Sequence, residues 1–430
     1  MKRLAMKQLL EWKESKNRKP LIIRGARQVG KTWLMKEFGN SHFDNLAYIN
    51  FENNERMHTL FEGNYDINRL IEGLQIESGE RISPKTTLLV FDEIQEEPKA
   101  LTSLKYFFEN SPEYAILAAG SSLGVALHEG TSFPVGKVDF MNLYPMTYGE
   151  FLQALGEDDL LDLLCKTRWD LIEVFAPKYI DLLRKYYYVG GMPEAVFEYV
   201  QNSDYSEVRR IQEQILFTYD QDFSKHVPTK EVPRVRAVWN NVLVQLAKEN
   251  KKFSPGVVEK NSRLKDYELA LQWLQDCSLL HRVGQISKPH LPLRAYETGH
   301  FKLYLHDVGL LAAMADLNKE TLLEGSQIFT EYKGALTEQY VAQELIARGV
   351  TPYYWSSSGK AEVDFVLKLK AEVYPLEVKA EENLQSKSLK VYAEKYEPSL
   401  ALRTSMRDYR KESWMANIPL YAIASDFLGE

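Results

Sequence analysis

A short segment bounded by two glycines could bind the phosphate groups of a nucleotide. It runs from Gly25 to Thr32 with the sequence Gly-Ala-Arg-Gln-Val-Gly-Lys-Thr, which fits the pattern G-x-x-x-x-G-K-[ST]. Glycine tolerates backbone angles that other residues avoid, so successive N–H groups of such a loop can turn towards one phosphate. Lys31 would reach the β- and γ-phosphates, and the Thr32 hydroxyl would hold Mg²⁺. The spacing therefore predicts a nucleotide site with ATP and Mg²⁺ as its ligands.

Two acidic residues farther along the chain could complete this site. Asp92 and Glu93 follow the apolar run Thr87–Phe91, which is typical of a strand buried on both faces. Ligands of α/β proteins bind at the carboxyl ends of the strands. Asp92 would orient Mg²⁺, and Glu93 would polarise the attacking water. The alternative, an acidic helix cap after a strand, is disfavoured by the phosphate-binding pattern upstream.

A serine after another apolar run is a further candidate. Ser121 follows the run 115–119, and its hydroxyl could sense the γ-phosphate or position water. An ordinary serine cap at a turn is an equal alternative, and both stay open. The predicted catalytic residues are Glu93 and Lys31, and the predicted Mg²⁺ ligands are Thr32 and Asp92. The predicted nucleotide-binding residues are Gly25, Ala26, Arg27, Gln28, Val29, Gly30, Lys31, Thr32, Asp92 and Ser121.

The elements around these residues alternate between strands and helices. Apolar runs predict strands at Leu21–Ile23, Leu46–Phe51, Leu88–Phe91 and Ala115–Ala119, with helical patterns between them. This alternation predicts an α/β fold with a parallel sheet. The pattern then becomes helical, with a break at Tyr186–Pro193.

Composition predicts an ordinary globular protein. The 430 residues are 45% hydrophobic and 26% charged, and the net charge of −7 excludes a global attraction to nucleic acid. Two cysteines, Cys165 and Cys277, make a disulfide framework or a zinc site of their own unexpected. No apolar stretch approaches the roughly 20 residues of a membrane span, and the start is typical of an amphipathic helix rather than a signal peptide. We therefore expect a cytoplasmic protein with no membrane partner.

Two carboxylates and a lysine near the C-terminal end form a second candidate site. Strand patterns at Ala361–Leu369 and Val373–Lys379 predict a hairpin that brings Asp364 beside Glu377. Glu377 and Lys379 would project from one face of their strand. Two such carboxylates can bind Mg²⁺ or Mn²⁺, and a lysine can lower the pKa of a metal-bound water. Because Glu and Lys alternate on many exposed strands, the spacing alone favours a solvated strand face.

Taken together, these motifs resemble the bacterial and archaeal AAA-type P-loop ATPases that carry a C-terminal DUF4143 domain. The resembling segments span nearly the whole chain: Gly25–Thr32, Leu89–Glu93, Ala118–Ser122, Leu143–Thr147, Val189–Glu194, Phe301–Met314 and Glu362–Lys379.

That resemblance implies an architecture of four parts. They are a P-loop AAA+-like ATPase core (1–150), a helical lid (151–230), a winged-helix-like element (231–325) and a restriction-endonuclease-like α/β domain of the PD-(D/E)xK type (326–430). It also implies a role for Glu338, which matches the helical acidic position of the nuclease-like pattern. Glu338, Asp364 and Glu377, with Lys379, would then form a second metal site.

The chain departs from the family pattern at one position. Where the family has Gly-Arg before the Leu-Tyr-Pro segment, this sequence has Gly136-Lys137. A lysine cannot reproduce the planar fork of an arginine, so Lys137 is a doubtful trans-acting finger. Arg184, Arg209 and Arg210 are lesser candidates, and solvated helix charges are the simpler interpretation. A homo-oligomer is left open.

A basic segment suggests a nucleic-acid partner. Residues 225 to 265 include ten basic and three acidic residues, so this segment has a net charge of +7 in a chain whose net charge is −7. The segment falls on the winged-helix candidate, whose second helix is expected to include Arg263 and Lys265. Phosphate contacts would give non-specific DNA affinity, whereas a solvated face or a protein contact is the alternative. The ten residues are Lys225, Lys230, Arg234, Arg236, Lys248, Lys251, Lys252, Lys260, Arg263 and Lys265.

The sequence thus supports a leading hypothesis and two alternatives. The first is an ATP-hydrolysing enzyme whose nucleotide state is coupled to a nucleic-acid-directed C-terminal module. The second is a nucleotide-gated binding or assembly protein with an inactive nuclease-like fold. The third is a DNA nuclease that uses ATP only for control.

Overall fold

The computed structural model describes residues 2–120, 134–248, 250–323, 330–357, 361–380 and 386–424. The chain divides into two compact units. The N-terminal unit comprises Lys2–Tyr144 together with Asp276–Ser278, and the C-terminal unit comprises Pro145–Gln275 and Leu279–Glu430. Within the described ranges, no helix has both the length and the apolar character needed to cross a membrane.

A parallel sheet forms the centre of the N-terminal unit. Its order is β2-β3-β4-β1-β5, and every neighbouring pair of strands is parallel. The predicted α/β fold class and parallel sheet are confirmed, and the predicted strands are observed with ends that shift by at most one residue. The strands are β1 (Leu21–Arg24), β2 (Asn45–Asn50), β3 (Thr87–Asp92), β4 (Ala115–Ala119) and β5 (Asp139–Asn142).

Helices cover this sheet and complete its core. The central strands β3 and β4 are buried along their whole length, as expected of parallel strands covered on both faces. On one face, the ring of Phe91 packs edge-on against the rings of Phe51 and Phe61. The helices are α1 (Ala5–Glu14), α2 (Lys31–His42), α3 (Glu55–Glu62), α4 (Ile67–Ser78) and α5 (Pro98–Asn110).

Helices dominate the first part of the C-terminal unit, and one later helix lies at its centre. The side-chain amide of Gln339 on this helix, α17, exchanges two hydrogen bonds with the main chain of Leu305, at 2.8 and 2.6 Å. The helices after residue 145 are α6 (Tyr148–Ala154), α7 (Asp158–Cys165), α8 (Trp169–Val174), α9 (Ala176–Val189), α10 (Pro193–Asn202), α11 (Tyr205–His226), α12 (Val232–Ala247), α13 (Pro255–Val258), α14 (Glu268–Asp276), α15 (Val308–Met314), α16 (Lys319–Leu323), α17 (Thr330–Ala347) and α18 (Lys387–Tyr396).

A second sheet closes the C-terminal unit. Its order is β12-β13-β11-β10-β9-β8-β6-β7, with parallel pairing at β13–β11, β11–β10 and β8–β6. The predicted hairpin of β9 and β10 is confirmed, with Leu376 opposite Phe365. The strands are β6 (Leu280–Ile286), β7 (Glu297–Leu305), β8 (Tyr353–Ser356), β9 (Glu362–Leu369), β10 (Glu372–Val378), β11 (Ala401–Ser405), β12 (Arg410–Lys411) and β13 (Met415–Pro419).

This sheet joins two segments that the sequence assigns to different parts. The hairpin β6–β7 lies in the segment expected to form a winged helix, yet β6 pairs in parallel with β8 of the nuclease-like segment. The four-part division of the chain therefore stays a prediction.

The expected position of two basic residues is wrong. Arg263 and Lys265 were expected on the second helix of the winged-helix candidate, but α14 begins only at Glu268. Arg263 has an extended backbone, and Lys265 lies in a single 3₁₀ turn, Leu264–Asp266. The Asp266 carboxylate accepts the Arg263 N–H at 2.7 Å and so stabilises this separate turn.

Three chain segments cross closely at the predicted break between α9 and α10. The N–H of Met146 donates to the carbonyl of Gly191 at 2.6 Å, and the N–H of Gly191 donates to Asp307 Oδ2 at 2.6 Å. A Cβ atom at Gly191 would lie 2.0 Å from the Met146 carbonyl oxygen. Gly190 has a φ of +71°, and a Cβ atom there would likewise lie too close to the backbone of Gly309. The two glycines are therefore required by the close approach of the backbones.

We expect Gly191→Ala to destabilise the C-terminal unit by about 2–4 kcal/mol, because its methyl group would force the Met146 backbone away. Chemical denaturation followed by circular dichroism measures this change. Gly334→Ala is the matched control, since a Cβ atom there meets nothing within 4 Å. Equal stability of the two variants would contradict the close crossing.

Candidate functional site

The loop between β1 and α2 has the backbone that a phosphate-binding loop requires. Gly25 has a φ of +153°, and a Cβ atom there would lie 2.2 Å from the Leu143 carbonyl oxygen. Gly30 adopts the left-handed conformation at the start of α2, and no side chain caps the helix. The N–H groups of the first turn of α2 are thus left for another acceptor. Ala26 and Val29 are buried and anchor the loop.

Lys31 folds back over this loop. Its ammonium group donates to the carbonyl oxygens of Gly25 at 2.9 Å and Ala26 at 2.8 Å. Burial lowers the pKa of Lys31 to about 8, although the carboxylates of Glu93 and Asp92 act in the opposite direction. A buried ammonium group that has only carbonyl partners is well suited to exchange them for phosphate oxygens.

Thr32 and Asp92 meet as the sequence predicts. The Thr32 hydroxyl donates to Asp92 Oδ2 at 2.7 Å. The same oxygen accepts the Tyr48 hydroxyl at 2.8 Å, and the other accepts the Glu93 N–H at 3.1 Å. Asp92 is only 3% exposed, so these bonds compensate for the burial of its charge. An oxygen pair of this kind, one hydroxyl and one carboxylate, suits Mg²⁺.

Glu93 stands beside Asp92 in an uncommon backbone conformation. Its φ of +51° is left-handed, which is unusual for a residue other than glycine. The side-chain amide of Gln95 donates to Glu93 Oε2 at 2.6 Å. Gln95 therefore orients the carboxylate that the sequence predicts as the general base. Such strain is often found at functional sites.

Two contributors to this site were not predicted. Tyr48 lies on β2, next to β3, and the ammonium group of Lys36 lies 3.7 Å from the centroid of its ring. Arg3 precedes α1, and its guanidinium donates to the carbonyls of Val29 at 2.9 Å and Tyr144 at 2.6 Å. Tyr48 could have been found from the rule that carboxyl ends of neighbouring parallel strands share one edge. Arg3 had no local signal, because its partners are distant in sequence.

The remaining candidates of the ATPase site are one serine, one lysine and three arginines. Ser121 lies outside the described residues. Lys137 pairs with Glu109 at 2.9 Å. Arg209 donates to the Leu317 carbonyl at 2.6 Å and Arg210 pairs with Glu207, while Arg184 lies half-buried on α9. Lys137, Arg209 and Arg210 thus have partners within the chain.

The second candidate site lines a cavity of about 990 Å³ in the C-terminal unit. Asp364 accepts the Val378 N–H at 2.8 Å, and Lys379 pairs with Glu377 at 2.7 Å. The predicted proximity of the two strands is thus observed. Both Glu338 and Glu377 are buried.

A lysine that was not predicted lies at the centre of this cluster. Lys302, on β7, is fully buried and pairs with Glu338 at 3.0 Å and with Glu362 at 2.6 Å. Lys251 and the Tyr304 hydroxyl also bind Glu338. Lys302 and Tyr304 alternate with apolar residues in one buried run, which is the signal that could have identified them.

The ionisation of this cluster follows from these contacts. Burial by itself would raise the pKa of Glu338, but the ammonium groups of Lys251 and Lys302 outweigh it and hold that pKa below its usual range. Burial and the charge of Glu338 raise the pKa of Asp364. For Lys302, burial lowers the pKa, but Glu338 and Glu362 raise it above its usual range. The cluster is therefore held together by charge pairing.

Among the residues that the structure describes, no three His, Cys, Asp or Glu side chains are grouped so that they could hold a metal ion. The metal role of Glu338, Asp364 and Glu377 therefore stays a prediction.

The basic segment is partly neutralised within the chain. Arg234 pairs with Glu231 and Arg236 with Asp220, both at 2.8 Å, and Lys251 pairs with Glu338. Lys248 and Lys252 line a second cavity of about 530 Å³, which shares Asn250, Lys252 and His300 with the larger one.

Three family models match segments that together cover most of the chain. Residues 17–152 match the AAA domain family (AAA_14), and residues 333–423 match a domain of unknown function, DUF4143. Between them, residues 180–321 match another domain of unknown function, DUF8612. No curated protein matches the chain in sequence. The chain thus carries an AAA-type ATPase domain followed by a DUF4143 domain, which confirms the family resemblance.

Several solved structures also resemble the chain. The Walker-type ATPase PABY2304 of Pyrococcus abyssi matches with a TM-score of 0.46 and 14% identity, covering 73% of this chain and 95% of that one. Cdc6p from Pyrobaculum aerophilum matches with a TM-score of 0.26 and 12% identity, covering 75% and 96%. The Orc1 protein of Aeropyrum pernix, solved in complex with DNA, matches with a TM-score of 0.26 and 13% identity, covering 73% and 91%. Because these TM-scores are all low, the similarities do not indicate which ligands this chain binds.

Proposed function

We propose that this chain, an AAA domain joined to a DUF4143 domain, is an ATP-binding protein that hydrolyses ATP with Mg²⁺. The observation that carries the proposal is the meeting of Thr32 and Asp92 at 2.7 Å beside the loop that Lys31 covers. A glycine-rich strand–helix turn without nucleotide function would not need a buried lysine, a hydroxyl and a carboxylate at one sheet edge.

Each residue of the site has a distinct task. Lys31 exchanges its two carbonyl partners for oxygens of the β- and γ-phosphates, and the free N–H groups at the start of α2 bind the same phosphates. Thr32 and Asp92 would hold Mg²⁺, whose chemistry is to neutralise charge on the phosphate oxygens. Tyr48 keeps the Asp92 carboxylate in place through its hydrogen bond.

Glu93 serves as the general base. It accepts a proton from the attacking water, while Gln95 holds its Oε2 atom at 2.6 Å. The strained backbone of Glu93 fixes the direction of the carboxylate at the end of β3. Binding and hydrolysis therefore depend on different residues, which makes them separable by mutation.

We expect Glu93→Gln to lower kcat for ATP hydrolysis by about 100-fold or more, because a positioned general base contributes roughly 10²–10⁴ in rate. ATP affinity should stay within about threefold, since the amide preserves shape and removes no phosphate contact. Lys31→Ala should instead weaken ATP binding by about tenfold or more. Steady-state kinetics and equilibrium binding of ATP separate these effects.

Glu96→Gln is the matched control, because Glu96 is an exposed neighbour and its substitution should leave both values unchanged. An unchanged rate in Glu93→Gln would contradict the assigned base. Intact ATP affinity in Lys31→Ala would contradict the phosphate-binding loop itself.

The proposal extends to a nucleic-acid partner for the C-terminal unit. The net charge of +7 between residues 225 and 265 supports it, as do Lys248 and Lys252 at one cavity. The nucleotide state of the AAA domain would then control this binding. An ATP-controlled nuclease and a nucleotide-gated assembly protein are the alternatives, and the lysine partners of the C-terminal carboxylates favour the latter over the former.

We expect the double variant Lys248→Gln/Lys252→Gln to bind duplex DNA more weakly than wild type. The slope of log affinity against log salt concentration should fall in magnitude by about two, one for each lost phosphate contact. Fluorescence anisotropy over a series of salt concentrations measures both values. Lys166→Gln/Lys390→Gln removes the same charge from exposed positions elsewhere and should change neither. Equal affinities and slopes for wild type and both variants would contradict a DNA contact at this cavity.

A further inference from the structure

The oxygens of Glu338 are already bound by cations and a hydroxyl. Oε1 accepts from the Lys302 ammonium at 3.0 Å and from the Tyr304 hydroxyl, and Oε2 accepts from Lys251. Glu338 is 2% exposed. Three of its roughly four lone-pair positions are therefore occupied, and a divalent cation at the fourth would lie beside ammonium groups.

Lys302 is a permanent member of this group. It is fully buried and bridges two carboxylates, Glu338 at 3.0 Å and Glu362 at 2.6 Å. Because its side chain has no exposed surface, the ammonium group can reach solvent only if the side chains around it move. A divalent cation beside Glu338 would therefore be placed next to a fixed positive charge.

Lys251 is also held in place. The main chain of the next residue, Lys252, forms an isolated antiparallel bridge with Lys302, and the Phe253 N–H donates to the Phe301 carbonyl at 2.8 Å. These bonds fasten the segment after α12 to β7 and leave the Lys251 side chain over Glu338. Its side chain is 17% exposed. The ion pair is therefore a part of the fold and not a loose surface contact.

Asp364 and Glu377, the other two carboxylates of the predicted metal site, also have partners within the chain. One oxygen of Asp364 accepts the Val378 N–H, and one oxygen of Glu377 is paired with Lys379 at 2.7 Å. Among the residues that the structure describes, none forms a hydrogen bond with the buried Oε2 atom of Glu377. A cation at that oxygen would again meet an ammonium group on the same carboxylate.

We propose that lysine ammonium groups take the place of a divalent cation in this cavity, which is thus a lysine–carboxylate cluster and not a metal centre. The cluster consists of Lys251, Lys302, Lys379, Glu338, Glu362, Asp364 and Glu377. It fastens the basic segment to the C-terminal sheet, and it leaves the nuclease-like domain without metal-dependent cleavage. The proposal concerns the C-terminal unit alone and does not rest on the ATPase activity.

Binding of Mn²⁺ to the nucleotide-free full chain, followed by electron paramagnetic resonance, tests this proposal. We expect Asp364→Asn and Glu338→Gln to leave the Mn²⁺ binding of the protein unchanged, because neither carboxylate holds the ion. In Lys251→Met/Lys302→Met, the freed carboxylates should bind one additional Mn²⁺ at least about tenfold more tightly than wild type does at this cavity. Adding Glu338→Gln to that double variant should remove the new site.

Thermal unfolding supplies a second measurement. Because Lys302→Met leaves the buried Glu338 and the partly exposed Glu362 without this partner, the double variant should be destabilised and then recover when Mn²⁺ is added. Lys252→Met, which removes a lysine from the rim of the same cavity, should show no such recovery. If the double variant does not fold, the comparison of wild type with Asp364→Asn and Glu338→Gln still tests the proposal, because none of these three proteins loses a lysine of the cluster.

Two results would overturn the proposal. One is Mn²⁺ binding by the wild-type protein that is lost in Asp364→Asn or Glu338→Gln. The other is a folded Lys251→Met/Lys302→Met double variant that gains no Mn²⁺ affinity.

Discussion

The buried carboxylate of Asp92 is the constraint on which the N-terminal unit depends. Its charge lies at the end of β3 with 3% exposure, and burial of an unpaired carboxylate is prohibitively costly. Thr32 supplies a hydrogen bond from the start of α2, and Tyr48 supplies another from β2. Because β4 lies between β1 and β3, the Thr32 bond joins elements that are not neighbours in the sheet. The loop, the helix and two strands are thus fixed around one carboxylate.

The C-terminal unit compensates for the burial of its carboxylates in a different way. There the buried carboxylates of Glu338 and Glu377 are paired with ammonium groups, and Lys302 contacts both Glu338 and the partly exposed Glu362. Breaking such a pair by removing one partner is strongly destabilising, since it leaves an uncompensated buried charge. The N-terminal carboxylate accepts hydrogen bonds from two hydroxyl groups, and in our proposal it is available to a cation. The C-terminal carboxylates have their cations within the chain.

Local patterns in the sequence were sufficient for strands β1 to β4 and for the loop between β1 and α2. The glycines at positions 25 and 30, with Lys31 and Thr32, predict the loop because each has a role set by its own backbone or side chain. The apolar runs predict β1 to β4, and the hairpin of β9 and β10 follows from alternation. These features depend on neighbours in the sequence, and the structure contains them.

Long-range contacts could not be predicted in this way. Tyr48, Arg3 and Lys302 acquire their roles from partners that only the fold brings near. The error at Arg263 and Lys265 arose because a helical pattern was extended through a segment that Asp266 closes into a separate turn. The acidic partners of Arg236 and Lys251 likewise lie outside the basic segment, so its net charge alone did not reveal them.

The most direct test of the central claim is the effect of Mg²⁺ on ATP affinity, measured with a fluorescent ATP analogue in wild type and Asp92→Asn. If Asp92 holds the ion with Thr32, Mg²⁺ should strengthen binding to the wild type, and Asp92→Asn should lose this gain by about 10–100-fold in metal affinity. The affinity without Mg²⁺ should remain, because Lys31 and the loop are untouched. An unchanged gain in Asp92→Asn would contradict the account.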